Sequence, residues 1–133
     1  MKNMTFAMTV CVAMVGVFLV PGPSQAEEDS DTVLQVVRID THGNTAAYVA
    51  SLKAVLDRLE ELAPESNSRV WEATMSGDTT GTVYVVIEYP SMAAFAAATE
   101  TVFVDEAWIK GVAALAETGR TVESNSILTE ITP

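Results

Sequence analysis

The sequence predicts an α+β domain, a four-stranded antiparallel sheet with helices on one face, its elements in the order β-α-β-β-α-β. Three observations predict it. Segments rich in β-branched residues alternate with segments of helical period. A loop carrying glycine and aspartate joins the second and third strand segments as a hairpin. The first and third strands are the most continuously apolar, as the two central strands of such a sheet must be.

Val33-Leu34-Gln35-Val36-Val37-Arg38-Ile39 is the first strand, closed by the turn-forming Asp40-Thr41-His42-Gly43-Asn44. From Thr45 the period changes. Tyr48, Leu52, Val55, Leu59 and Leu62 step by four and three, with Lys53, Asp57, Arg58, Glu60 and Glu61 on the other side. Asn44 or Thr45 caps this helix and Pro64 marks its finish. The second strand is expected over Arg69–Met75 and the third over Thr82–Tyr89, with Ser76–Gly81 as the hairpin loop. Ser91 is a suitable N-cap for a second helical region, which breaks at Val102-Phe103-Val104-Asp105. A fresh segment carries Trp108, Val112 and Leu115 on one face and ends near Gly119, a suitable C′ residue. Val122–Ile131 is the last strand. Ordering the sheet 4-1-3-2 leaves the edges to strands two and four, which carry Arg69, Glu72, Glu123, Ser124, Asn125 and Glu130.

This is the ferredoxin-like arrangement, and it resembles the dimeric α+β barrel superfamily, which includes the antibiotic-biosynthesis monooxygenases, haem-degrading monooxygenases and muconolactone isomerases. The carrying residues are Val83–Met92, Phe95, and Asp105-Glu106-Ala107-Trp108, within a likeness spanning about Leu34 to Ile131. The resemblance implies a homodimer in which two sheets face each other. It specifies a fold and not a reaction. In the haem-degrading members a haem-ligating histidine lies on the second helix; Met92–Thr118 contains none, so that activity is not supported.

Ahead of the domain, Lys2 precedes an uncharged, mostly apolar run of 17 residues, Met4–Val20, then Pro21-Gly22-Pro23 and Ser24-Gln25-Ala26. Such a charge, apolar core and small-residue pattern is an export signal cut after Ala26, whereas a retained anchor is favoured by a positive flank that is lacking here. The organisation expected is a cleaved signal over 1–26, a disordered acidic leader over 27–32, and one domain over 33–133. A periplasmic or secreted protein follows. Loss of Lys2 leaves 6 basic against 18 acidic residues, a net charge of −12. That balance argues against nucleic acid and against stable association with an anionic membrane. Cys11 leaves with the signal, so disulfides and thiol chemistry are excluded from the mature chain.

Few residues carry chemistry. His42 is the single histidine, and imidazole titrates near neutrality, which makes it a weak catalytic candidate as a general base; the alternative is a plain loop residue. One histidine and scattered carboxylates form no metal cluster, and neither a Gly-rich phosphate loop nor a Ser-His-Asp set is present, so no metal or cofactor is expected. On the third strand Val83, Val85, Ile87 and Tyr89 share an apolar face to lie under the helices. Tyr84 and Glu88 lie on the other face and, with Arg38 and Trp71, form the expected ligand-binding set for a small apolar molecule between the two sheets. A structural Arg38–Glu88 ion pair is the competing reading. Three roles stay open at this point: a binding protein, a cofactor-independent monooxygenase or isomerase, and a non-catalytic structural dimer.

Overall fold

The computed structural model describes residues 31–131. The expected signal, its cleavage point and the acidic stretch to Ser30 lie outside the described residues. The elements are β1 (Val33–Asp40), α1 (Thr45–Leu62), β2 (Asn67–Glu72), β3 (Val83–Tyr89), α2 (Met92–Val102), α3 (Glu106–Glu117) and β4 (Thr121–Thr129). The four strands form one antiparallel sheet in the order β2-β3-β1-β4, the predicted order read from the other edge.

β1 runs at the centre, pairing Val33 with Tyr89 and Ile39 with Val83 on one side, and Val33 with Thr129 on the other. The β1–β4 ladder slips at Arg38/Ile39, where Arg38 faces Ser124 and Ile39 faces Val122. Glu123 is the extra residue of that bulge. It joins Ser124 on one side of the sheet, so Val122, Asn125 and Ile127 share the other.

The helices cover one face. Val83, Val85, Ile87 and Tyr89 are buried there, against Tyr48, Leu52, Val55 and Leu59 of α1, as their four-and-three spacing requires. Ser91 caps α2, its Oγ accepting from Ala94 N–H at 3.1 Å. Asp105 opens α3 in the same way, accepting from Trp108 N–H at 2.8 Å. Asn44 stands at the start of α1 without capping it through its side chain, which donates instead to Thr118 O at 3.3 Å and ties that corner to the end of α3. Gly119 follows with φ +79°, the left-handed conformation expected of a C′ residue.

Strand limits differ from expectation most at β2 and β4. β2 begins at Asn67 and ends at Glu72 rather than spanning Arg69–Met75. Ala73 still exchanges bonds with Thr82 and Gly81, after which Gly77–Thr79 coils into a 3₁₀ turn held by Thr79 Oγ1 on Ser76 Oγ at 2.8 Å. The local Ser/Thr bonds outcompete the ladder there. β4 starts one residue early at Thr121 and stops at Thr129.

Candidate functional site

The parity of each strand sorts the site residues onto two faces. Arg38, Tyr84, Glu88 and Trp71 all lie on the open face, away from the helices: Arg38 is level with Tyr84, and Tyr84 with Trp71. Glu88 is level with Leu34, four residues along β1 from Arg38, or about 13 Å at strand rise. The competing reading of an Arg38–Glu88 ion pair is therefore not met. Arg38 Nε instead meets Glu123 Oε2 at 2.7 Å, because the bulge turns Glu123 onto its side. Glu88 is exposed, and Trp71 is 57% exposed. Leu34, Val36, Val86 and Leu128 form an apolar strip on this face, flanked by Asn67 and Arg69 of β2 and by Ser124 and Ser126 of β4.

His42 lies at the end of β1 with φ +51°. Its N–H donates to Asp40 Oδ1 at 2.8 Å, which helps hold this left-handed turn. Its ring Nδ1 is 3.3 Å from Asp40 Oδ2 and its Nε2 is 2.8 Å from Thr121 Oγ1. This carboxylate–imidazole–hydroxyl row stands at the surface. None of the three lines the cavity described next.

That cavity, of about 450 Å³, lies on the opposite side, between the sheet and its own helices. Its walls are apolar: Leu52, Val55 and Leu59 of α1, Phe95 of α2, and Trp108 and Val112 of α3. Phe95 meets Tyr89 edge to face, ring centroids 5.3 Å apart. The floor carries a polar row. Tyr89 Oη donates to Gln35 Oε1 at 3.4 Å, and Gln35 Nε2 donates to Asn125 Oδ1 at 3.1 Å. Tyr48 and Arg120 line the cavity as well. They belong to the first turn of α1 and the entry to β4. Burial pushes the phenols of Tyr48 and Tyr89 above their ordinary pKa, the charge of Arg120 opposing it at Tyr48, so both stay protonated and able to donate near neutrality.

Sequence reading found Trp108, Phe95 and Tyr89 as apolar positions but missed Gln35, Asn125 and Arg120 as cavity residues. The alternation of β1 places Gln35 under the helices beside Val37, a signal that was available. Asn125 was hidden by the bulge. Among the described residues no group of three His, Cys, Asp or Glu is placed to hold a metal ion.

No family model matches this sequence, and no curated protein matches it. Solved structures do. A NIPSNAP family protein of unknown function from Agrobacterium tumefaciens superposes with a TM-score of 0.59 at 12% identity, covering 77% of this chain and 89% of that one. A protein from Caulobacter crescentus, designated an antibiotic biosynthesis monooxygenase, gives 0.52 at 14% identity, covering 82% and 99%. One from Chloroflexus aurantiacus with the same designation gives 0.53 at 10% identity, covering 77% and 95%. The chain shares the ferredoxin-like α+β fold of these proteins. At these identities the likeness concerns the fold.

Proposed function

We propose that this chain is an exported, homodimeric binding protein for a small, largely apolar, ring-bearing molecule, held in the cavity between sheet and helices. The observation that carries the reading is the cavity itself. Its 450 Å³ falls within the range of small-molecule sites, about 300–1,000 Å³. Its aliphatic and aromatic walls supply burial, and the Tyr89–Gln35–Asn125 row supplies a few oriented polar contacts. A flat aromatic ligand fits such walls because offset and edge-on ring contacts add to simple burial.

The dimer belongs to the same reading. Leu34, Val36, Val86 and Leu128 leave an apolar strip without helix cover, and a second sheet would remove it from water. Arg38, Tyr84, Glu88 and Trp71 would then meet the partner sheet, or a molecule held between the two sheets. Export rests on residues 1–26 alone, and intact mass of the protein from its producing cell tests it: a mature chain is expected to begin at Glu27.

A cofactor-independent oxygenase is the second reading, favoured by the fold shared with two proteins designated as antibiotic biosynthesis monooxygenases. It has less geometric support. The described lining residues include no histidine or carboxylate to act as a base near neutrality, and His42 stands elsewhere.

The deciding experiment is titration of the purified protein with N-phenyl-1-naphthylamine, a neutral apolar fluorophore. Saturable enhancement at one probe per chain is expected. Val112→Phe, which fills the cavity from α3, should weaken it at least tenfold. Absence of saturable binding to the folded protein would overturn the reading.

A further inference from the structure

Arg120 is out of keeping with its surroundings. It lines a cavity whose walls are otherwise aliphatic and aromatic, and its Nε is buried without a hydrogen-bond partner among the described residues. A buried guanidinium N–H left unpaired is costly, and native chains satisfy nearly all such donors. Nor does a carboxylate answer its charge. The ion pairs among the described residues engage Arg38, Lys53 and Arg58, with His42 near Asp40, and none engages Arg120. Arg69 and Lys110 also stand outside these ion pairs, but Arg120 alone among the described basic residues lines the cavity.

The neighbouring polar groups fit the same purpose. Tyr48 lines the cavity, is 2% exposed and lies within the electrostatic reach of Arg120. Its phenol stays protonated and offers an O–H. The other end of the cavity differs in chemistry. Thr121 is level with Asp40, five residues along β1 from Gln35, so the backbone of Arg120 lies more than about 16 Å along the sheet from the Tyr89–Gln35–Asn125 row. The cavity is thus polarised: a cationic donor at one end, neutral amides and a phenol at the other, and rings between.

Building on the small-molecule reading above, we infer that the cavity selects aromatic molecules bearing an acidic oxygen, a carboxylate or a phenolate, anchored by the Nε–H of Arg120 with the hydroxyl of Tyr48 beside it. The guanidinium is always charged and its planar fork suits a carboxylate. Salt screens the repulsion of an anion by the acidic outer surface beyond a Debye length of about 8–10 Å, whereas a contact with Arg120 inside the cavity is screened much less. Arg120 is a specificity-determining residue on this view, and the apolar walls set the size and shape of what it holds.

Calorimetric titration of the purified protein with 2-naphthoate and with 2-naphthamide, its neutral analogue of nearly the same shape, tests the inference. At neutral pH 2-naphthoate is expected to bind at least tenfold tighter than 2-naphthamide. Arg120→Met should remove that preference by weakening 2-naphthoate far more than 2-naphthamide, and Arg120→Lys should keep part of it. A thermal melt of each variant confirms the fold; were Arg120→Met unfolded, a full preference retained in Arg120→Lys at high salt would count against an electrostatic anchor. Equal binding of the two probes by the unaltered protein would overturn the anionic selection while leaving the cavity as a ligand site. Binding of neither, with the fold intact, would overturn the small-molecule reading itself.

Discussion

Gly111 of α3 stands so close to Val55 of α1 that a β-carbon placed on it would lie 2.8 Å from Val55 Cγ2. Val55 is 3% exposed, and a valine in a helix is held to essentially one rotamer, so the methyl cannot swing away. The crossing of the two helices that wall the cavity is therefore set by the absence of a side chain. Alanine at this position would gain about 1 kcal/mol of helix propensity and lose about 1–3 kcal/mol to overpacking. Gly111→Ala is expected to be destabilised by up to about 2 kcal/mol in urea unfolding, and Val55→Ala in the same chain should recover part of the loss. A more stable Gly111→Ala would show that the crossing can relax.

Asp105 gives the fold a dependence on acid. Its carboxylate takes Arg58 Nε at 3.0 Å and Nη2 at 2.5 Å, and the N–H of Trp108, which together hold its pKa at about 2, below the ordinary aspartate value. A folded pKa below the unfolded one means that this contribution is complete above about pH 4 and is lost as pH falls through about 2. The stability difference between the unaltered protein and Asp105→Asn should be constant from pH 7 to 5, shrink below 4 and be nearly gone at 2. A difference that persists unchanged at pH 2 would place the effect in packing around Trp108 instead.

The open face supplies a test of assembly. Val86 is at its centre, level with Val36 and Arg69. A carboxylate brought between two sheets loses its hydration, a cost of several kcal/mol per ion that a pairing with Arg69 across the ladder does not fully offset. Light scattering should give twice the chain mass for the unaltered protein and the single-chain mass for Val86→Glu, with probe binding in the helix–sheet cavity retained. A monomer at micromolar concentration before any substitution would defeat the dimer proposal.

His42 should prove dispensable for binding. Its ring bonds are to Asp40 and Thr121, and it does not line the cavity. His42→Ala is expected to bind naphthyl probes within about twofold of the unaltered protein, a change of under half a kcal/mol. A loss of tenfold or more would bring His42 back into the site.

Much of the fold was legible because two-residue and four-three periods are written in the residues themselves. Val83, Val85, Ile87 and Tyr89 announced the buried face of β3, and Ser91 and Asp105 announced the helix starts. The sheet order followed from which strands can tolerate two covered faces. The site was less legible, for two physical reasons. Straight alternation along the last strand groups Val122 with Ser124 and Ser126, and the bulge at Glu123 breaks that grouping, bringing Asn125 to the cavity and Glu123 to Arg38. A bulge leaves no periodic trace in a single sequence. The cavity's volume depends besides on how closely α1 and α3 approach, and a lone glycine in a helix does not say whether it is there for proximity or by tolerance.

The two tryptophans sit on opposite sides of the sheet, Trp71 on the open face and 57% exposed, Trp108 half-buried against the cavity. The molecule thereby carries two native fluorophores that report on separate events. Emission from Trp108 should be blue-shifted and respond to cavity occupancy, while Trp71 should emit further to the red and yield to acrylamide until a second sheet covers it. Phenylalanine at either position would leave a chain with one optical channel, so that occupancy and pairing can be followed independently in the same solution.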